Sequence, residues 1–432
     1  MSKSHGSRSR ALELCKSLLM VLLTCSAIFL ITRTQIFTGI RSAGPNPPST
    51  VTPLPMAAVT ATTHPLRLAV TQLDQNYVRR YGAQYEDITQ AYSTLAPILA
   101  QGFSAAGAPE SLTENGWQRA LQSGGIYFDF LGEIPLITLS HWLTGSQNKL
   151  LPEDISVRRL CLYTQNGSVF LAYQTAAGTY FSCPLSGDLA PTLEASLGAF
   201  AANRADFAFH MGAAYDSLDP NTLLLPDPPS PPVFDSSNPL GTVDAALLTE
   251  VQNAALLAFS FHPQNGAIYS IPGGATINEG ADSLRLYSSG ALTYNASDLK
   301  TPRFPVLGDP VEFTRALAEA TVGKSCGSAR LYLSSVQQTE NGSEISFDYA
   351  LSGAAVQLPQ GGHAAQFTLE NGILTAAALH FRSYTPSTQT ALVLPELQAA
   401  AAAGALSKNP GELLLRYEDP ADGPQTATWS LN

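Results

Sequence analysis

One uninterrupted apolar run, residues 17–32, constrains this sequence more than any other feature. SLLMVLLTCSAIFLIT carries no charge and lies between Lys16 and Arg33. As a helix it extends roughly 24 Å at the standard rise per residue, a little short of a hydrocarbon core about 30 Å thick. Leu12 and Leu14 lengthen it at one end and Ile36 and Phe37 at the other, provided Lys16 and Arg33 snorkel. No small-x-small cleavage site follows, and Thr24 is a poor residue before Cys25 for lipoprotein processing. The expectation is an uncleaved signal anchor. Lys3, Arg8, Arg10 and Lys16 precede it against Glu13 alone, so residues 1–16 form a cytoplasmic basic tail and the remainder lies outside the cell membrane.

Residues 1–41 hold six of the 23 basic and one of the 34 acidic residues, leaving the outer part with 17 against 33, a net charge of −16. Such a surface repels polyanions, so no nucleic-acid partner is expected. Cys15 and Cys25 flank or enter the anchor. Cys161, Cys183 and Cys326 remain outside, an odd number that supports no disulfide framework. Cys161 and Cys183 fall on neighbouring predicted strands, where they can pair or stay as buried thiols.

Two stretches cannot build a core. Residues 33–65 end in a Pro/Thr-rich linker, and residues 219–240 carry so many prolines that neither a helix nor a central strand is expected there. They bound a first extracytoplasmic region, 66–218, and a second, 241–432. In the first, Ile88, Tyr92, Leu95 and Leu99 make a helical face that Pro97 should kink or split. Ser111 and Glu114 have capping-box spacing before Trp117 and Leu121. A strand, GIYFDFLG, and a helix over 134–142 precede hairpins turning at Asn166-Gly167 and Ala176-Ala177-Gly178, the former a strong hairpin signal. In the second, Leu247, Leu248, Val251, Ala255 and Phe259 predict a helix leading to strands AIYSI, SLRLYSS and ALTYNA. Asp309, Pro310 and Glu312 start another helix. Asn341-Gly342 and Asn371-Gly372 join further strands, and a short helix from Leu394 precedes ELLLRYED and a terminal strand with Trp429. The fold class is α+β: a single N-terminal transmembrane helix, then domains of antiparallel meanders and hairpins packed with single helices.

No complete catalytic, cofactor or metal motif is present. Gly323-Lys324-Ser325 lacks the earlier glycine of a phosphate-binding loop, with Ala318 in its place, and follows a helix rather than a strand. Ser146 and Lys149 have Ser-x-x-Lys spacing, but no Lys-Thr-Gly accompanies them. His141, His210, His262, His363 and His380 are dispersed. The expectation is a non-enzyme without catalytic residues, cofactor or metal. Within the anchor, Leu18, Val21, Cys25, Ile28 and Thr32 fall on one face, a candidate contact for another transmembrane helix; plain lipid contact explains the same pattern.

Several longer patterns point to a family. GIYFDFLGEIPLITLSHWL at 125–143, LLAFSFHPQNGAIYSIPGGATINEGADSLRLYSSGALTYN at 256–295, ISFDYALSGAAVQLPQG followed by FRSYTPS, and the tail LLLRYEDP…TWSLN resemble the YycH/YycI family of membrane-anchored regulators of the WalK (YycG) sensor histidine kinase. The resemblance implies a regulator of the Gram-positive envelope whose partners are the membrane, the sensor kinase and, as a further candidate, a paralogous anchored regulator. No functional residue transfers with it. Two other functions suit the residues: an envelope ligand-binding module for glycan, peptide or lipid, with Tyr173, Tyr180 and Tyr287 lining a groove, and a cell-wall enzyme using Ser146 and Lys149.

Overall fold

Hairpins dominate the architecture. The computed structural model describes residues 61–74, 77–262, 267–297, 302–406, 411–420 and 423–431. The anchor 17–32 and its face of Leu18, Val21, Cys25, Ile28 and Thr32 lie outside these residues, and no described helix is long and apolar enough to cross a membrane.

The first sheet uses β1 (Arg67–Asp74), β2 (Tyr77–Ala83), β3 (Glu110–Leu112), β4 (Gly125–Pro135), β5 (Ser156–Gln165), β6 (Ser168–Thr175) and β7 (Tyr180–Pro184). Its order is β2-β1-β4-β5-β6-β7-β3, with antiparallel neighbours throughout. Helices α1 (Thr89–Ala105), α2 (Glu114–Gln122), α3 (Leu136–Thr144) and α4 (Ala190–Leu197) accompany it. Strand alternation divides its side chains between two cores. Ile126, Phe128, Leu160 and Leu162 pack with Leu95, Leu99 and Phe103 of α1. Tyr127, Cys161 and Tyr163 pack with Trp117 and Leu121 of α2. Both faces are therefore buried, so these strands read as nearly continuous apolar runs. The alternation also decides the cysteine question. Cys161 stands opposite Ala172 and Cys183 opposite Leu171, consecutive residues of β6, so the thiols face opposite sides of the sheet and are free.

Beyond it come β8 (Asp206–Phe207), β9 (Leu223–Leu224), β10 (Pro232–Ser237), α5 (Glu250–Ala258), β11 (Ala267–Ile271), β12 (Gly274–Glu279), β13 (Asp282–Tyr287), β14 (Ala291–Asn295), α6 (Pro310–Ala318), β15 (Arg330–Thr339), β16 (Gly342–Leu351), β17 (Ala354–Gln357), β18 (Ala365–Glu370), β19 (Ile373–His380), β20 (Ser383–Thr390), α7 (Glu396–Leu406), β21 (Leu413–Glu418), β22 (Pro424–Gln425) and β23 (Ala427–Leu431). Among the described residues the second large sheet runs β11-β12-β13-β14-β19-β18-β16-β17-β21-β23, with β15 also on β16. Its pairs are antiparallel except β17 with β21.

Several local expectations are corrected. The proline-rich connector contains β10, which lies between β20 and β22. Pro232 is tolerated because it opens the strand and a bulge follows before Phe234. Pro97 sits inside an unbroken α1. Thr113, not Ser111, caps α2 by accepting the Gly116 N–H, while Ser111 is held in β3 opposite Phe181. Leu247 and Leu248 precede α5, whose capping box is Thr249 with Gln252. The hairpin at Asn341 turns on Glu340-Asn341, and Gly342 has joined β16.

The two large sheets meet where β4 approaches β15. A Cβ built on Gly132 would lie 1.8 Å from the Leu333 carbonyl oxygen, so only glycine permits this backbone contact. Gly132→Ala is expected to destabilise the protein by about 3 kcal/mol, in the upper range of overpacking costs because the opposing atom is main chain. A denaturant midpoint like the native protein's would contradict it.

Candidate functional site

Charged side chains from five separate parts of the chain converge at this sheet junction. Strand register creates the first row: Arg67 of β1 stands opposite Asp129 of β4, which stands opposite Arg159 of β5. The β5–β6 register then skips Arg158, a bulge. A bulge turns consecutive side chains toward one side. Arg158 and Arg159 accordingly both reach Asp129 and Glu412, the latter just before β21. Asp129 accepts from Arg158 Nε at 2.9 Å and Nη2 at 3.1 Å. Glu412 accepts from Arg67 at 2.9 Å and Arg158 at 2.6 Å. Arg159 donates to Gln174 at 3.1 Å and to Asp219 of the connector at 3.0 Å. Three guanidinium groups thus meet three carboxylates. Side-chain exposure is only 1% for Asp129 and 8% for Glu412. Burial opposes ionisation of both, but Arg158, Arg159 and Arg67 outweigh it, holding Asp129 well below the usual carboxylate range and Glu412 at about 2.

A second buried carboxyl has the opposite character. Glu396 opens α7 and accepts from both Gln84 Nε2, at 2.7 and 2.9 Å, and the Leu225 N–H, at 2.6 Å. Burial dominates over these bonds and over Arg67, raising Glu396 to about 8. Near neutrality it is mostly a carboxylic acid.

Beside the arginine cluster opens a cleft of about 270 Å³. Leu131 and Arg158 line it from the first sheet, Tyr332, Ser334 and Asp348 from β15 and β16, and Arg416 from β21. His363, from the loop after β17, also lines it, with Nδ1 at 2.9 Å from Asp348. That hydrogen bond, set against burial, raises the His363 pKa. Arg158 is already engaged by Asp129 and Glu412. Among the described residues Arg416 has no such partner, and its Nε is buried without a hydrogen bond.

The sites suggested by sequence do not assemble into this cleft, apart from His363. Ser146 and Lys149 are exposed in the turn after α3, where Ser146 bonds the Thr144 hydroxyl. Gly323 ends a π turn that extends α6, with Lys324 as its cap, so no phosphate loop forms there. His363 and His380 are close, linked by a 2.8 Å contact from His380 Nδ1 to the His363 carbonyl. No group of metal-ligating residues occurs among the described residues. Tyr173 is fully buried and stacks on Phe181, while Tyr180 stacks on Trp117, so the proposed tyrosine groove is absent there. Arg416, Tyr332 and the arginine cluster were missed because their partners are too distant in sequence; two adjacent arginines inside an apolar strand were the one available signal.

No protein-family model and no curated protein matches this sequence. Its architecture does have a counterpart, the crystal structure of YycH from Bacillus subtilis, at a TM-score of 0.53 and 9% sequence identity. The fold is YycH-like. The alignment covers 86% of this chain and 93% of that one, so the similarity to YycH extends over both large sheets rather than one module. It bears on YycH and not on YycI.

Opposite pH dependences follow from the two buried carboxyls. Glu412, lowered on folding, contributes stability that is present above pH 4.5 and lost as pH falls toward about 2. Glu396, raised on folding, contributes stability that is present below pH 4.5 and lost as pH rises toward about 8. Urea midpoints measured across pH should therefore show Glu396→Gln removing part of the loss between pH 4.5 and 8. Glu412→Gln should flatten the acid limb and cost about 3–5 kcal/mol at neutral pH, because it leaves buried arginines uncompensated. Unchanged slopes in both variants would contradict these assignments.

Proposed function

We propose that this chain is a non-enzymatic, membrane-anchored regulator of a two-component sensor histidine kinase in a Gram-positive envelope. The observation that carries the reading is the YycH-like fold across 86% of the chain. The sequence resemblance to the YycH/YycI regulators and the apolar run at 17–32 support it. In this reading the N-terminus is cytoplasmic, the run spans the cell membrane once, and the sheets are extracytoplasmic. The partners are the kinase, the membrane and a paralogous anchored regulator. Binding changes kinase output only to the extent that it favours one signalling state of the kinase over the other. The face formed by Leu18, Val21, Cys25, Ile28 and Thr32 is the proposed transmembrane contact, with the outer sheets supplying extracytoplasmic contacts.

Co-purification of the full chain with the kinase encoded nearest to it tests the reading. Capture of the kinase is expected, and replacing Leu18, Val21, Cys25 and Ile28 together by other apolar residues should reduce it several-fold if packing at this face contributes. Retained capture by that variant would overturn the anchor contact alone. Absence of capture by the native chain, at normal expression and membrane location, would overturn the regulatory reading.

A further inference from the structure

The cleft at the sheet junction presents hydrogen-bond donors that the protein itself does not satisfy. Arg416 makes no hydrogen bond or ion pair among the described residues, and its buried Nε is without a partner. A guanidinium is charged at every physiological pH and offers donors in a planar fork. A guanidinium that lines a cleft without a protein partner keeps its terminal donors available to a ligand there. Tyr332 lines the same cleft, only 7% exposed, and its hydroxyl also has no hydrogen-bond partner among the described residues. The charge balance adds direction. Arg158 is matched by Asp129 and Glu412, and Asp348 is in hydrogen-bond contact with His363. Among the described residues Arg416 is the guanidinium of this cleft that makes no ion pair. The cleft's volume is about 270 Å³, enough for a small molecule but not for a folded partner's surface.

The geometry points to a binding site for a small anionic ligand, its carboxylate or phosphate group held by Arg416 and the Tyr332 hydroxyl beside Arg158. The terminal nitrogens of a guanidinium can bind either group through two parallel hydrogen bonds. Both anions share this chemistry, and the cleft sets no further distinction between them. The inference stands apart from the kinase reading, because ligand binding requires neither the anchor nor a partner protein.

Calorimetric titration of the full chain at constant ionic strength, with inorganic phosphate and separately with N-acetylalanine, tests it. At least one probe should bind saturably. Arg416→Gln should weaken that binding by on the order of tenfold or more and Tyr332→Phe by several-fold, the losses expected for a charge-assisted and a neutral hydrogen bond. Saturation by phosphate alone assigns a phosphate ligand, by N-acetylalanine alone a carboxylate, and by both the shared anion chemistry. Arg416→Lys keeps the charge but not the fork, so it should also bind more weakly, and it serves in place of Arg416→Gln should that variant fail to fold. The proposal is overturned if neither probe saturates up to about 20 mM, or if binding is unchanged in the folded Arg416 variants.

Discussion

The organisation of this protein depends on the compensation of Arg67, Arg158 and Arg159 by Asp129, Asp219 and Glu412. An ion cluster of this kind is not a strong net source of stability, since well-packed apolar residues of equal volume often do as well. Its consequence lies in the penalty for incomplete assembly. A first sheet without Glu412, or with the connector displaced so that Asp219 is absent, would bury arginines with too few counter-charges. The cluster therefore favours the arrangement in which both sheets and the connector meet correctly over arrangements that merely bury apolar surface.

The closeness of the sheets has a second, steric requirement. At Gly132 the backbone of β4 is within reach of the Leu333 carbonyl, and no side chain fits between them. This contact places Leu131 and Arg158 against Tyr332 and Arg416, so the cleft belongs to neither sheet alone. Charge compensation and backbone contact thus act at the same junction, and among the described residues they leave Arg416 in the cleft without an ion pair.

Much of the secondary structure was legible because it is encoded locally. Asn166-Gly167 and Asn371-Gly372 turn their hairpins with both residues at positive φ, the conformation these residue types favour. Asp309 caps α6 as its spacing indicates. Other elements were hidden by residues that work only in tertiary context. β1 and β2 carry buried Arg67 and Arg80, which obscure the apolar alternation; Arg80 is paired with Asp206, far along the chain. β10 begins with a proline, and β12, GATINE, has little apolar content. The cleft was the least legible feature. Arg158, Tyr332, His363 and Arg416 have no common periodicity, and the bulge that directs Arg158 and Arg159 together exists only once β5 has paired with β6.

Glu412 lies 253 positions after Arg159 in the chain. During synthesis, therefore, the strands bearing all three arginines emerge long before the carboxylate that two of them bond most closely. The first sheet can form its hairpins as it emerges, but its arginine cluster must stay hydrated until the last part of the chain arrives. Only with the C-terminal strands in place does the cluster have its full set of counter-charges: a chain ending before Glu412 lacks the carboxylate that Arg67 and Arg158 bond most closely.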